Sequence, residues 1–383
     1  MVTPAVRSVA LLVALGVGWF VAWQWELRGV EESAAYAFFI TALLGFGLYA
    51  STSGIELGEF RKQFRTVVVA VTLGVLAKVA LIFGVMFLVY REPWHLILAV
   101  AVAQIDPLSV AAMRGKSRMS SSAKALLAAW ASFDDPITVL LTVYITSFAL
   151  RGGAVGGFGG FAVDFALNVA LAGGAYALWR LVRRRVPVGD RARAGRWAVR
   201  AVLVLAVLAV GFVAVQFSLL LALAVIGLFF RPDLGRWVDG LAEVGMFAAT
   251  AAVGLVLAAE FSWALAGVGA VLGAAAFLSQ GVVAWALTLP RRWRGDRARL
   301  CLGQQNGLTA IILALLLEPN FPGAIAVVAP AVVVVNLLHA LANGYYDRLR
   351  PPTPEIAEPR PIRRTAPATP LAPAAFRRLG EVG

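Results

Sequence analysis

Long apolar runs separated by short polar gaps follow one another along most of the chain. A helix needs about 17 to 25 residues to cross the hydrocarbon core of a bilayer. By that measure the pattern predicts twelve membrane-spanning helices, numbered here as spans one to twelve. They lie near residues 8–25, 34–53, 64–90, 94–113, 121–149, 158–182, 197–213, 216–230, 238–259, 262–289, 298–317 and 322–345. Spans seven and eight are short and nearly continuous, so one long helix there is an alternative.

The sign of the charge alternates from one gap to the next. Even-numbered gaps carry arginines and lysines, as at Arg114, Lys116 and Arg118. Odd-numbered gaps carry mostly glutamates, as at Glu31 and Glu260. Since cytoplasmic loops are the ones rich in Lys and Arg, both termini are predicted to be cytoplasmic. An even number of spans agrees with that orientation.

Composition indicates a polytopic membrane protein. Hydrophobic residues make up 60% of the 383 residues and charged residues 14%, against roughly 25% charged in soluble domains. The mean hydropathy is +0.81. One cysteine and two histidines exclude an internal disulfide and leave no cluster spaced like a zinc or iron–sulfur site, so no cofactor is expected.

The net charge of +13 does not indicate a nucleic-acid partner. The basic residues lie in the short gaps and in the C-terminal tail, where membrane topology explains them. The tail, rich in Pro, Arg, Ala and Thr, cannot bury a core and is predicted to be disordered in the cytoplasm. The chain therefore divides into a membrane domain, 1–349, and a tail, 350–383.

Three aspartates lie near the middle of predicted spans: Asp106 in span four, and Asp134 and Asp135 in span five. A carboxylate at membrane depth is costly and usually faces a wet, functional interior. Ion or proton transport is therefore the leading interpretation. Because burial disfavours the charged form of a carboxylate, a proton and a small cation can compete for one such group.

Two spans are predicted to be broken. In span four, Pro107 leaves the carbonyl of Ala103 without its helical partner. Span eleven is interrupted by a polar run over 303–309, GQQNGLT. Such breaks survive in a membrane only where protein or a water-filled cavity supports them, and transporters build ion sites from them. The two breaks occupy mirror positions if spans one to five repeat, inverted, as spans eight to twelve.

Lys78 lies in the middle of span three, too deep to reach water easily. A lysine at this depth needs a carboxylate partner. We hypothesise that it pairs with Asp134 or Asp135 when no cation is bound and releases it on loading. The alternative is a purely structural partnership with Asp106 or with the carbonyls of the broken helix.

The motif order resembles the monovalent cation/proton antiporter superfamily. It consists of Ile105-Asp106-Pro107 on a broken helix, a basic loop, and Phe133-Asp134-Asp135-Pro136 on the next helix. The stretch GFGLYASTSGIELGEF is similar to that superfamily too. The resemblance implies an all-α membrane fold of about twelve helices, with inverted repeats and two broken, crossing helices. It implies a core, about 64–149 and 262–345, that moves against a dimerising panel of the remaining helices.

The resemblance also implies the site. Asp134 or Asp135 would be the cation- and proton-binding carboxylate, with Asp106 close by. Paired aspartates resemble the electrogenic branch, which usually has a basic residue in its tenth helix, where span ten offers only Ser279 and Gln280. Hard cations favour oxygen ligands, and the supporting candidates are Lys78, Ser132, Thr138, Gln304, Gln305 and Asn306.

The expected function is exchange of Na+, Li+ or K+ for protons by alternating access, in a homodimer in the plasma membrane, without enzymatic activity. The GQQNG run is similar to the Gln–Asn motif of sodium-coupled bile-acid-type symporters, so symport of an organic anion is the alternative. The amides of that run could instead only join helices by hydrogen bonds, and Asp106 could only cap a helix. An intramembrane aspartyl protease is disfavoured, since the chain has no Gly-x-Gly-Asp sequence.

Overall fold

The computed structural model describes residues 4–27, 29–53, 64–107, 110, 117–150, 157–184, 193–230 and 235–349, and these are folded almost entirely into helices. The predicted disordered tail, 350–383, lies outside the described residues, as do many basic residues of the gaps, including Arg114 and Lys116. The helices are α1 (Pro4–Gln24), α2 (Ala34–Ser53), α3 (Phe64–Tyr90), α4 (His95–Ala103), α5 (Ser121–Leu150), α6 (Gly157–Arg184), α7 (Arg193–Gln216), α8 (Leu220–Phe229), α9 (Gly235–Glu260), α10 (Trp263–Leu287), α11 (Arg297–Cys301), α12 (Leu308–Leu317) and α13 (Ala324–Leu349).

The helices follow the predicted spans. Within the described residues, seven helices are long and apolar enough to cross a membrane, and shorter apolar helices accompany them. Spans four and eleven are broken, as predicted: α4 ends at Ala103, and extended chain separates α11 from α12. Spans seven and eight form two helices, α7 and α8, joined by a turn in which Ser218 has a φ of 54°. The single-helix alternative for that region is therefore wrong.

The packing of the outer helices has the symmetry of an inverted repeat. If spans one to five repeat as spans eight to twelve, the rotation that relates them exchanges span one with eight and two with nine. A contact between spans one and nine then requires an equivalent contact between spans eight and two. Both are extensive in the structure: α1 packs along α9, and α8 packs along α2. Spans three and ten, which are α3 and α10, pack on each other.

Helix α3 contains one π-helical stretch, Ala70–Gly74. Such stretches are rare and occur often at functional sites. Gly74 closes it, and a side chain there would contact Val283 of α10 at 3.3 Å. Lys78 follows one turn later and is fully buried. The wider turn thus lies directly before the buried lysine, on the helix that faces α10.

Two glycines of α10 permit close approach to α13. Added Cβ atoms at Gly269 and Gly273 would collide with the main-chain oxygens of Val327 and Ala331 respectively. Helices in lipid associate through such small residues, because their backbones can then touch. The GxxxG spacing of span ten thus serves packing within the protein, between two helices that flank the broken span.

We predict that Gly269→Ala destabilises the protein, since the new methyl group must displace the backbone of α13. Overpacking of this kind costs roughly 1–3 kcal/mol. Gly267→Ala is the matched control on the same helix, because a Cβ there meets nothing within 4 Å. The measurement is thermal stability of the detergent-purified protein by size-exclusion chromatography after heating. Equal melting temperatures for the two variants would contradict this packing role.

Candidate functional site

The two broken spans cross at their extended segments. After α4 the chain becomes extended at Gln104, with φ −69° and ψ 159°. The amide of Asp106 then donates to the carbonyl of Gln305 at 2.8 Å. Residues 107 and 110 are helical again, and the amide of Val110 donates to the carbonyl of Asp106 at 3.1 Å. A main-chain hydrogen bond therefore joins the two breaks directly.

Side-chain amides satisfy the carbonyls freed at the end of α4. The Nε2 of Gln304 donates to the carbonyl of Gln104 at 2.7 Å, and the Nδ2 of Asn306 donates to that of Val102 at 2.9 Å. Gln304 Nε2 also lies 2.7 Å from Asn306 Oδ1. The last carbonyls of a helix have no intrahelical partner, and lipid offers none. These amides therefore make the break in span four possible.

A third helix supports the crossing. Asn336 of α13 donates through Nδ2 to the carbonyl of Asn306 at 2.7 Å and accepts from its amide through Oδ1 at 3.2 Å. One turn further, Nδ1 of His339 lies 2.8 Å from the carbonyl of Leu302. Sequence reasoning missed the roles of Gln104 and Asn336. The available signal was a lone amide in an otherwise apolar helix.

Asp134 forms a buried ion pair with Lys78. Lys78 Nζ lies 2.7 Å from Asp134 Oδ2, and both side chains are fully buried. The same oxygen accepts from the amide of Ile105 at 3.1 Å. The ammonium group of Lys78 also lies 5.6 Å from the ring centroid of Trp130. Helices α3 and α5 and the extended segment after α4 thus meet at this carboxylate.

Asp135 lies in a different environment from its neighbour. Its Oδ2 accepts from the hydroxyl of Thr309, the second residue of α12, at 3.0 Å. Its Oδ1 has no hydrogen-bond partner within the described part of the chain. Asp135 and Asp106 repel one another electrostatically. Asp106 packs so tightly against Gly307 that any side chain at position 307 would collide with the carboxylate.

The remaining predicted residues surround these carboxylates. The hydroxyl of Thr138 lies 2.9 Å from Gln104 Oε1 and 3.0 Å from the main-chain oxygens of Asp134 and Asp135. Ser132 is buried one turn before Asp135 on α5, and Gln305 is buried at the crossing. Thr309, which belongs to the polar run, was not assigned to the site from sequence, although its hydroxyl is the one that contacts Asp135.

The three aspartates do not form one chelate. In the part of the chain that the structure describes, no three His, Cys, Asp or Glu side chains converge as ligands of a metal ion. Asp134 is occupied by Lys78, whereas Asp135 and Asp106 lie at the crossing. Any cation bound there would need hydroxyl or carbonyl oxygens in addition to carboxylate.

Span ten contributes buried polar groups near its middle. Ser279 and Gln280 of α10 are both buried, and neither end of the Gln280 amide has a hydrogen-bond partner among the described residues. The lysine that contacts a site aspartate among the described residues, Lys78, lies on α3.

Comparisons with known proteins agree with this architecture. No family model matches the chain, and no curated protein matches it. Among solved structures, the chain is similar to the sodium proton antiporter MjNhaP1 from Methanocaldococcus jannaschii, determined at pH 8. The TM-score is 0.57 and the identity 15%, over 89% of this chain and 94% of that protein. At this identity the likeness establishes the fold: the chain is an integral membrane protein with the fold of the monovalent cation/proton antiporters.

Proposed function

We propose that the protein is a secondary active transporter that exchanges a monovalent cation, Na+, Li+ or K+, for protons. The observation that carries the proposal is Asp135, a buried carboxylate placed beside the crossing of two broken helices. One of its oxygens is held by Thr309, and its basic neighbour Lys78 is bound to Asp134 instead.

The distribution of charge supports competition at one site. Lys78 offsets the charge of Asp134, whereas Asp135 forms no ion pair among the described residues and its Oδ1 has no hydrogen-bond partner there. A buried charge without a partner is strongly unfavourable. Binding of either a proton or a cation relieves that cost. Two carboxylates close together also repel one another when both are ionised and no cation is bound between them. Binding one ligand therefore promotes release of the other.

The geometry also supplies oxygen ligands. The free Oδ1 of Asp135, the carboxylate of Asp106 and the hydroxyls of Thr309 and Ser132 belong to residues that lie at or next to the crossing. Small hard cations prefer oxygen ligands of this kind. The amides of Gln304 and Asn306 hold the crossing and thereby fix the distance between the two aspartates.

Alternating access would come from movement of the core against the panel. We propose that the core, about residues 64–149 and 262–345, carries the crossing across the membrane. The panel would join two copies into a homodimer in the plasma membrane, with both termini in the cytoplasm. The alternation of basic and acidic gaps supports that orientation.

The symporter alternative loses its main support. The GQQNG run suggested it, but Gln304 donates to Asn306 Oδ1 and to the carbonyl of Gln104, and Asn306 donates to the carbonyl of Val102. The run therefore has a structural explanation without an organic substrate. In proteoliposomes, an antiporter collapses an imposed pH gradient when the cation alone is added, whereas a symporter also requires its organic anion.

We predict that Asp135→Asn abolishes exchange, because an amide can neither release a proton nor neutralise a cation. The measurement is dissipation of a pH gradient in proteoliposomes on addition of Na+, Li+ or K+. Asp164→Asn is the control, since Asp164 is exposed on α6, and its rate should equal that of the wild type. Exchange at the wild-type rate by Asp135→Asn would refute the assignment of the site.

Asp134 and Lys78 should depend on each other. Lys78→Met leaves the carboxylate of Asp134 buried without an opposite charge, which costs roughly 3–5 kcal/mol, so thermal stability should fall. Asp134→Asn frees Lys78 to pair with Asp135 and should strongly impair exchange. The double variant Lys78→Met/Asp134→Asn removes both charges and should recover stability.

Transport by the double variant separates the two roles of the pair. Unchanged exchange kinetics would show that the pair is structural. An altered pH dependence or charge stoichiometry, at restored stability, would show that Lys78 takes part in the exchange cycle. Unaltered stability in Lys78→Met alone would contradict the ion pair itself.

Thr309→Val should raise the half-saturating cation concentration. The hydroxyl stabilises the ionised form of Asp135, and a hydrogen bond to a charged group contributes about 1.5–3 kcal/mol, hence roughly a tenfold change or more. Thr309→Ser keeps the hydroxyl and should resemble the wild type. Thr142→Val is the control, since within the described residues its hydroxyl donates to the carbonyl of Thr138, at 2.8 Å, and makes no contact with Asp135. If Thr309→Ser and Thr309→Val have the same half-saturating cation concentration, the hydrogen bond to Asp135 does not contribute to cation binding.

A further inference from the structure

Glu318 is a buried carboxylate that the exchange site does not use. Glu318 follows α12 directly and is only 2% exposed. Its Oε1 accepts from the amide of Gly323 at 2.5 Å, and its Oε2 accepts from the amide of Ile325 at 2.7 Å. The first amides of a helix lack partners, and Ile325 is the second residue of α13. Glu318 therefore joins the end of α12 to the start of α13.

Helix α12 connects Glu318 to the exchange site. At its first turn, Thr309 donates to Asp135. Near its last turn, its Leu315 carbonyl accepts from the hydroxyl of Tyr36, at 3.1 Å. Ten residues of helix span about 15 Å. A helix this short transmits a shift of one end to the other, so the position of Thr309 depends on how the Glu318 end is held.

Glu318 interacts electrostatically with Glu260 and Glu31, which belong to a group of glutamates called here the acidic face and defined by Glu26, Glu31, Glu32 and Glu260. These four line a cavity of ≈ 750 Å³, large enough to admit water. The titratable groups that act on Glu318 are Glu260 at the end of α9, Glu31 of the turn before α2, and Tyr36 of α2.

Burial and the nearby glutamates make the protonation of Glu318 sensitive to pH near neutrality. Burial, followed by repulsion from Glu260 and Glu31, raises the pKa of Glu318 to about 7, although the amides of Ile325 and Gly323 act in the opposite direction. The ionised carboxylate accepts both amide hydrogens. A neutral carboxyl carries its proton on one oxygen and holds the two amides less well.

We propose that Glu318 is a proton-operated latch on the acidic face: when ionised it fastens α12 to α13, and when protonated it releases the end of α12 and weakens the contact of Thr309 with Asp135. Acidification of that face then lowers the affinity of the exchange site for cations, beyond direct competition by protons. The effect on transport rests on the proposed function, whereas the latch itself is a property of the fold.

Amide hydrogen exchange tests the latch without any transport. In the wild-type protein, the peptide covering residues 318–327 should be well protected at pH 8 and several-fold less protected at pH 6, after correction for the intrinsic pH dependence of exchange. Glu318→Gln offers one acceptor oxygen instead of two and should be weakly protected at both pH values. Glu260→Gln keeps both hydrogen bonds and removes a repulsion, so its transition should move to lower pH.

Transport gives the second readout. In proteoliposomes with the pH varied only at the acidic face, the wild-type half-saturating cation concentration should rise severalfold between pH 8 and pH 6. Glu318→Gln should show a raised value at pH 8 already, and between pH 8 and pH 6 only the smaller further rise that direct competition by protons produces. Glu32→Gln, on the same face, should keep the wild-type profile.

The outcomes are separable. Protection of 318–327 that is independent of pH in the wild type, or that Glu318→Gln leaves intact, overturns the latch. A pH-dependent protection that Glu318→Gln removes supports the latch, even if no cation dissipates a pH gradient, and in that case the proposed function alone fails.

Discussion

The structure depends on how main-chain groups are satisfied where two helices break inside the membrane. A carbonyl freed in an apolar environment costs several kcal/mol. Here Gln304 donates to the carbonyl of Gln104, Asn306 donates to that of Val102, and the amide of Asp106 donates to the carbonyl of Gln305. Each break therefore completes the other. Neither extended segment would be stable alone, so the crossing is formed as a unit and the carboxylates beside it are fixed with it.

Within that frame, two adjacent aspartates take different roles because a helix turns about 100° per residue. Asp134 faces α3 and meets Lys78, whereas Asp135 faces α12 and meets Thr309. The ion pair holds α3 against α5 and prevents Lys78 from neutralising Asp135. In the structure, therefore, one aspartate is balanced by a lysine, and its neighbour keeps one oxygen without a hydrogen-bond partner among the described residues.

Much of the fold follows from local sequence, and much of the site does not. Span length, Pro107 and the polar run predict the helices and both breaks, because these features act through the backbone of their own segment. The partner of Lys78 was left open between Asp134 and Asp135, since that choice depends on the rotation of α5 relative to α3.

Gln104 and Asn336 were missed because an amide in an apolar helix indicates a hydrogen bond but does not identify its partner. Glu318 lies in one of the acidic gaps, and nothing in the sequence indicates that its side chain folds back onto the next helix.

The short helix α12 contacts the site at its first turn and the start of α13 at its end. Its first turn holds Asp135 through Thr309, its preceding residues satisfy the break in span four, and its last residue is followed by the carboxylate that caps α13. A continuous helix in this place would have no free end to offer to the site. Since α12 is short and bounded by polar contacts on both sides, a change at either end reaches the other without distortion of the long helices. The break in span eleven therefore exposes the donors of the crossing and also makes α12 a separate short helix, with polar contacts at both ends.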